Sequence, residues 1–255
     1  MASYEISTIH CATVCAVRVL KFLSLFLFCG CLVTLAVAGP PSRPPIESLE
    51  GSAKLDALIA RVVEQQQALR SLRADFVQHK TSLLLLEAVE SSGEFLFQAP
   101  DKVRWDYLRP DPMVVVFADD TVTTFLPQQA RAERVRVSDK QQRFVRVLAG
   151  TQPLDDLTSY FGLTLADPGG QAHYRLTLRP VGNTLKKNLR SVEIEIDRTL
   201  FLPVVIEYNE ADGDTTRYEF KDLVLNPVID ASRFRLDLGA DIRLQTIDAS
   251  AGVGR

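Results

Sequence analysis

Residues able to carry chemistry are sparse in this 255-residue chain. Beyond the first forty positions there are two histidines, His79 and His173, and neither has a nucleophile or a second ligand at motif spacing. No G-x-S-x-G elbow, H-E-x-x-H pair, glycine-rich phosphate loop or dinucleotide fingerprint occurs. The four cysteines, Cys11, Cys15, Cys29 and Cys31, sit near the start, so the rest of the chain holds no disulfide, thiolate metal site or cysteine nucleophile. A Ser–His–Asp group can assemble in space without any local signature. A hydrolase of that kind is therefore one functional reading. The expectation is a protein with no catalytic residue, no metal and no cofactor.

Three clusters remain. Glu210, Asp212 and Asp214 could surround Ca²⁺, but the twelve-residue loop spacing is missing and Asp212-Gly213 suits a hairpin tip. Asp119-Asp120 reads as a second tight turn. Arg131, Arg134, Arg136, Lys140, Arg143 and Arg146 form the densest basic stretch, suited to anionic headgroups or to a solvated face. The third cluster is aromatic: Phe76, Phe95, Phe97, Trp105, Tyr107 and Phe125. Such rings usually form core, yet an apolar surface that its own side chains cannot fill is a competent site for acyl chains.

The elements that must position these residues follow from periodicity. Leu55, Leu58, Ile59, Val62, Val63 and Leu69 recur at three- and four-residue spacing, which predicts one amphipathic helix. From Leu72 the period becomes two. Strands are expected around Phe76, over 93–97, at Val103, Trp105 and Tyr107, at 113–117, 121–126 and 131–137, and then over 173–178, 189–196, 204–208, 215–225 and 234–238. Between 138 and 162 the pattern is helical, with Phe144, Val145 and Leu148 on one short helix and Leu154, Leu157, Tyr160 and Phe161 on a second. About ten strands with so few helices imply one α+β domain built on a single curved antiparallel sheet, since a sheet that wide must curl, close or be covered.

The ends are of a different composition. Arg18 and Lys21 precede an apolar run from Phe22 to Val37 that closes on Ala36-Val37-Ala38, which reads as a secretory signal over 1–38 rather than a membrane anchor. Lipid attachment at Cys31 is a weaker alternative. Residues 39–52 are proline-rich and read as a linker, 53–246 as the domain and 247–255 as a tail. Hydrophobic residues make up 46% of the chain and the formal net charge is −3, so there is a substantial core and no basic field for nucleic acid.

Taken in order, several segments resemble the LolA family of periplasmic lipoprotein carriers, from about Leu55 to Leu244. They are Leu72-Arg73-Ala74-Asp75-Phe76-Val77-Gln78, the run from Gly93 to Tyr107 through Ala99-Pro100, then Asp212-Gly213, Tyr218-Glu219-Phe220, Asn226-Pro227 and Phe234-Arg235-Leu236. The resemblance implies an incomplete β-barrel with a helical lid over an apolar cavity. It makes Phe76, Phe95, Phe97, Val103, Trp105, Tyr107, Val114 and Val116 candidate cavity residues, and Phe144, Leu148, Leu157 and Phe161 candidate lid residues. It also implies acylated lipoprotein or other lipid cargo, an inner-membrane release complex, an outer-membrane acceptor and a monomeric carrier in the periplasm. Where the family has a lid-fastening arginine before the proline, this chain has Ala99, and Lys102 and Arg104 are the nearby cations that could replace it. The rival reading on the same fold is an envelope-stress sensor or interaction module with a stable protein partner.

Overall fold

The computed structural model describes residues 44–82, 87–137, 157–167 and 171–248. Helix α1 (Gly51–Ala68) is the expected amphipathic helix, and it buries Leu58 and Val62 almost completely. Twelve strands then form one sheet: β1 (Ser71–Thr81), β2 (Val89–Gln98), β3 (Lys102–Arg109), β4 (Met113–Ala118), β5 (Thr121–Leu126), β6 (Arg131–Arg136), β7 (Phe161–Ala166), β8 (His173–Pro180), β9 (Leu189–Asp197), β10 (Pro203–Glu210), β11 (Thr215–Leu225) and β12 (Arg243–Asp248). Their order is β12-β6-β5-β4-β3-β2-β1-β11-β10-β9-β8-β7, an open sheet with β12 and β7 at its edges. Every neighbouring pair is antiparallel except β12 with β6, which is parallel.

Side chains report the curvature directly. Trp105 on β3 and Phe220 on β11 are separated by β2 and β1, which in a flat sheet puts three spacings of about 4.8 Å between their strands. Their ring centroids are nevertheless 5.7 Å apart. Inward-leaning rings and an inward bend of the sheet together close that gap, so the face that carries them is concave. Helix α1 covers the same face further along. Its core with β7–β10 includes Leu58, Val62, Tyr174, Leu176 and Ile206, and Tyr218 and Phe220 pack against both that core and the aromatic one.

After β11 the chain crosses the convex face before it reaches β6. Asn226 turns it in the left-handed conformation (φ 55), and its side-chain oxygen accepts hydrogen bonds from the amides of Arg70 (2.7 Å) and Ser71 (3.3 Å). The strap is then pinned over β2–β4. Phe234 is buried against Leu96, Val116 and Ala118. Arg233 bonds Glu94 at 2.8 Å and Asp106 at 3.3 Å, while Arg104 holds Asp106 through two 2.7 Å bonds and the Arg233 carbonyl at 2.6 Å.

Several expectations change. The stretch 234–238 is not a strand: a 3₁₀ turn (Ala231–Phe234) places Phe234 as a plug, because its ring has an apolar seat on the convex face. Residues 247 and 248 belong to β12 and not to a tail. Ile46, inside the supposed linker, is buried in the core beneath α1. Phe161 opens β7 instead of closing a helix, since the alternation Phe161-Gly162-Leu163-Thr164-Leu165 lets it pair with β8. The hairpin between β10 and β11 has the expected turn, in which the Asp214 amide donates to Asp212 and Gly213 has φ 101. Asp119 and Asp120 both have positive φ, as a two-residue loop between antiparallel strands requires. The expected signal sequence lies outside the described residues, and among those that are described no helix is long and apolar enough to cross a membrane.

Candidate functional site

The concave face is organised around Trp105. Cross-strand pairing sets Phe95 opposite Trp105, Phe97 opposite Val103 and Val115 opposite Trp105 on the other side. The indole meets Phe95 at 4.6 Å, Phe76 at 4.8 Å edge-on, Tyr218 at 5.0 Å and Tyr107 at 6.5 Å. Gly93 makes this possible. It lies opposite Phe76 and Tyr107, and a Cβ there would sit 1.8 Å from the Asp106 carbonyl and 3.0 Å from the Phe76 ring.

Two hydroxyls lie within the ring cluster. Burial pushes the Tyr107 phenol far above its usual range, and Tyr218 beside it adds to the effect. Tyr218 is also raised by burial, while the hydrogen bond it accepts from Tyr107 pulls the other way. Each phenol thus stays neutral and gives the other a partner, which removes the cost of an unpaired buried hydroxyl. The surface is apolar and uncharged.

Beside the rings, under the last turn of α1, lies an apolar cleft of about 60 Å³. Gln66 and Leu69 bound it on the helix side, Leu72, Phe95 and Phe97 on β1 and β2, Phe220 and Leu223 on β11, and Pro203 and Ile206 on β10 with Leu202 just before it. It is smaller than the roughly 150 Å³ cavity that suffices for benzene.

The sequence-derived site residues divide as follows. Phe76, Phe95, Phe97, Val103 and Trp105 are buried together in the concave aromatic core, with Tyr107 packed against it. Val114 and Val116 are not on this face. They alternate with Val115 and Phe117, and they pack on the convex side with Leu96 and Phe234. Phe125, paired with Val114, shares that side. Leu157 and Phe161 are buried in the core under α1, away from the Trp105 rings. Phe144 and Leu148 lie outside the described residues. Arg104 cannot fasten a cover on the concave face, because it is bound to Asp106 on the convex one, and alternation places Lys102 on that side too.

Leu69, Val115, Phe117, Tyr218 and Phe220 also join the concave cluster, though the sequence had marked none of them as a site residue. The signal for Tyr218 and Phe220 was present, since they alternate along one strand. Their meeting with Trp105 depends on pairing between distant strands, which no local pattern shows.

A polar clasp fixes the other end of α1. Lys54 on the helix contacts Asp167 at 2.5 Å, and Arg198 also binds Asp167 while its guanidinium lies 4.0 Å above the Tyr174 ring. The Tyr174 hydroxyl donates to Glu47 at 2.6 Å. The Lys54 hydrogen bond, followed by Arg198, holds the Asp167 carboxyl below its ordinary range against the opposing effect of burial. Burial and the bond to Glu47 push Tyr174 up to about 12. The start of α1 is therefore fastened to the β7–β9 edge, whereas its last turn borders the cleft.

The family model described as outer membrane lipoprotein carrier protein LolA matches residues 67–237. An outer-membrane lipoprotein carrier protein of Alkalilimnicola ehrlichii is 28% identical over 86% of this chain and 95% of its own length. One from Halorhodospira halophila is 26% identical over 64% of this chain and 74% of its own. Among solved structures, the lipoprotein LppX of Mycobacterium tuberculosis aligns with a TM-score of 0.45 at 13% identity, covering 71% of this chain and 99% of LppX.

Proposed function

Because this chain belongs to the LolA family of outer membrane lipoprotein carrier proteins, we propose that it carries acylated lipoproteins, or another acylated lipid, across the periplasm between the two membranes. The observation that carries this reading is the apolar cleft beneath the end of α1, which runs directly into the Trp105 ring cluster. Residues 1–38 serve as the export signal. The protein acts as a monomer, takes cargo from an inner-membrane release complex and passes it to an outer-membrane acceptor. It binds and shields; it does not catalyse.

The small cleft shapes the mechanism. One sixteen-carbon chain represents roughly 12 kcal/mol of transfer from water at about 0.8 kcal/mol per CH₂. Part of that gain is spent in parting side chains that already cover one another. The net affinity is thereby lowered, which suits a carrier that must let go. The last turn of α1 borders the cleft at the end of the helix away from the Lys54–Asp167 clasp, so cargo is proposed to enter past Gln66 and Leu69. Handover then needs only a modest difference in affinity between carrier and acceptor.

Native mass spectrometry of protein purified from periplasm without detergent tests this reading. The expected spectrum contains protein with bound acylated mass, and Trp105→Asp abolishes it. Wild-type protein that is uniformly empty, and that also fails to bind an apolar dye, would count against the carrier. A stoichiometric protein partner without lipid would favour the sensor.

A further inference from the structure

The convex face holds a second pocket of about 330 Å³, within the range of small-molecule sites. It lies where the strap crosses the β4–β5 hairpin. Its floor is apolar, made by Val116 and Ala118 from the sheet and Phe234 and Leu236 from the strap. Its wall carries two guanidinium groups, Arg134 from β6 and Arg235 from the strap.

These arginines differ from the others under the strap. Arg73, Arg104 and Arg233 all pair with Glu94 or Asp106. Among the described residues, Arg134 has only the Thr123 hydroxyl, to which its Nε donates at 3.3 Å, and Arg235 has no carboxylate partner. Thr123 itself is buried and lines the pocket. Arg136 follows on the same side of β6, opposite Thr121 and beside Asp248 in the β12 register, outside the pocket lining. Asp119, at the hairpin tip, is the single acidic lining residue and defines the end that an anion would avoid.

We propose that this pocket binds an oxyanion of the phosphate type carried on a short apolar stem. The fork of a guanidinium matches phosphate oxygens, and two of them with no carboxylate partner among the described residues supply the charge. The apolar floor takes the first carbons of the stem. A phospholipid-like headgroup and a free phosphate share this chemistry, and the stem separates them. The site lies on the face opposite Trp105 and does not depend on the carrier reading.

Calorimetric titration of the full chain with octyl phosphate below its micelle concentration, inorganic phosphate and neutral octyl glucoside tests it. Octyl phosphate is expected to bind at least tenfold more tightly than inorganic phosphate, and R134Q/R235Q to weaken it by tenfold or more. Octyl glucoside binding should not change between the two proteins, and Trp105 emission should stay constant as octyl phosphate fills the site. If phosphate binds as tightly as octyl phosphate with the same loss in the variant, the pocket stands as a free-anion site. Equal binding of octyl phosphate to wild type and variant, or no binding of either anion, overturns the proposal.

Discussion

Trp105 and Tyr218 belong to strands three places apart in the sheet, yet their ring centroids are 5.0 Å apart. The contact spans the hollow of the sheet and joins its two halves. Trp105 is also the chain's single tryptophan, so its emission reports on this face alone.

An acyl chain that enters the hollow is expected to disturb that contact. Stearate bearing a nitroxide near its methyl end should quench Trp105 in a saturable way, and unlabelled stearate should reverse it. Quenching that grows linearly with concentration, as collisions in solution do, would argue against a bound chain.

The two faces of β4 give a sharper test. Val115 packs on the concave side and Val114 on the convex, and both are only half-buried, so either tolerates replacement better than a core residue. Val115→Asp should weaken binding of N-phenyl-1-naphthylamine by tenfold or more, equivalent to about 1.4 kcal/mol. Val114→Asp should change it less than twofold.

Gly93→Ala is expected to lose about 1–3 kcal/mol of stability through overpacking. The added methyl meets the Asp106 backbone, which cannot swing aside, and then the Phe76 ring. Urea unfolding at constant slope would measure it, and an unchanged midpoint would contradict the packing described.

Asn226→Ala removes an acceptor shared by the Arg70 and Ser71 amides and leaves a left-handed backbone without its usual residue. A loss of about 1–3 kcal/mol is expected. Asn226→Gly should recover only the conformational part, giving an intermediate midpoint.

The α1 clasp predicts a pH dependence. The Asp167 carboxyl has a lower pKa in the folded protein than the ordinary 3.8. Its contribution is complete above the unfolded value and fades as pH falls through the folded one. Asp167→Asn should therefore be less stable than wild type at pH 7, by about 1–3 kcal/mol, and the gap should shrink as the pH is lowered below 4. A gap that is constant from pH 7 to 3 would show that the carboxylate charge plays no part.

How much of this could be read from the chain depends on how local each cause is. The α1 stripe and the shared face of Val103, Trp105 and Tyr107 follow from periodicity alone, and both are present. Val114, Val115 and Val116 defeat the same reasoning, since three consecutive valines carry no alternation, and only pairing of Trp105 with Val115 decides which turns inward. Phe161 ends one apolar helical pattern and begins an alternating one, and the β8 partner settles it. Phe234 looks like a strand residue because the apolar seat that receives it is made by β2 and β4, far away in sequence.

The parallel union of β12 with β6, Arg243 beside Arg131, has a consequence for biogenesis. Every earlier hairpin can close as it leaves the ribosome or the translocon, but β6 must wait for the strap to be threaded past the five strands that separate it from β11. Until then its outer amides and carbonyls are raw, and such a margin recruits stray chains. A premature stop before residue 243 would thus be expected to yield aggregates rather than a slightly shortened protein.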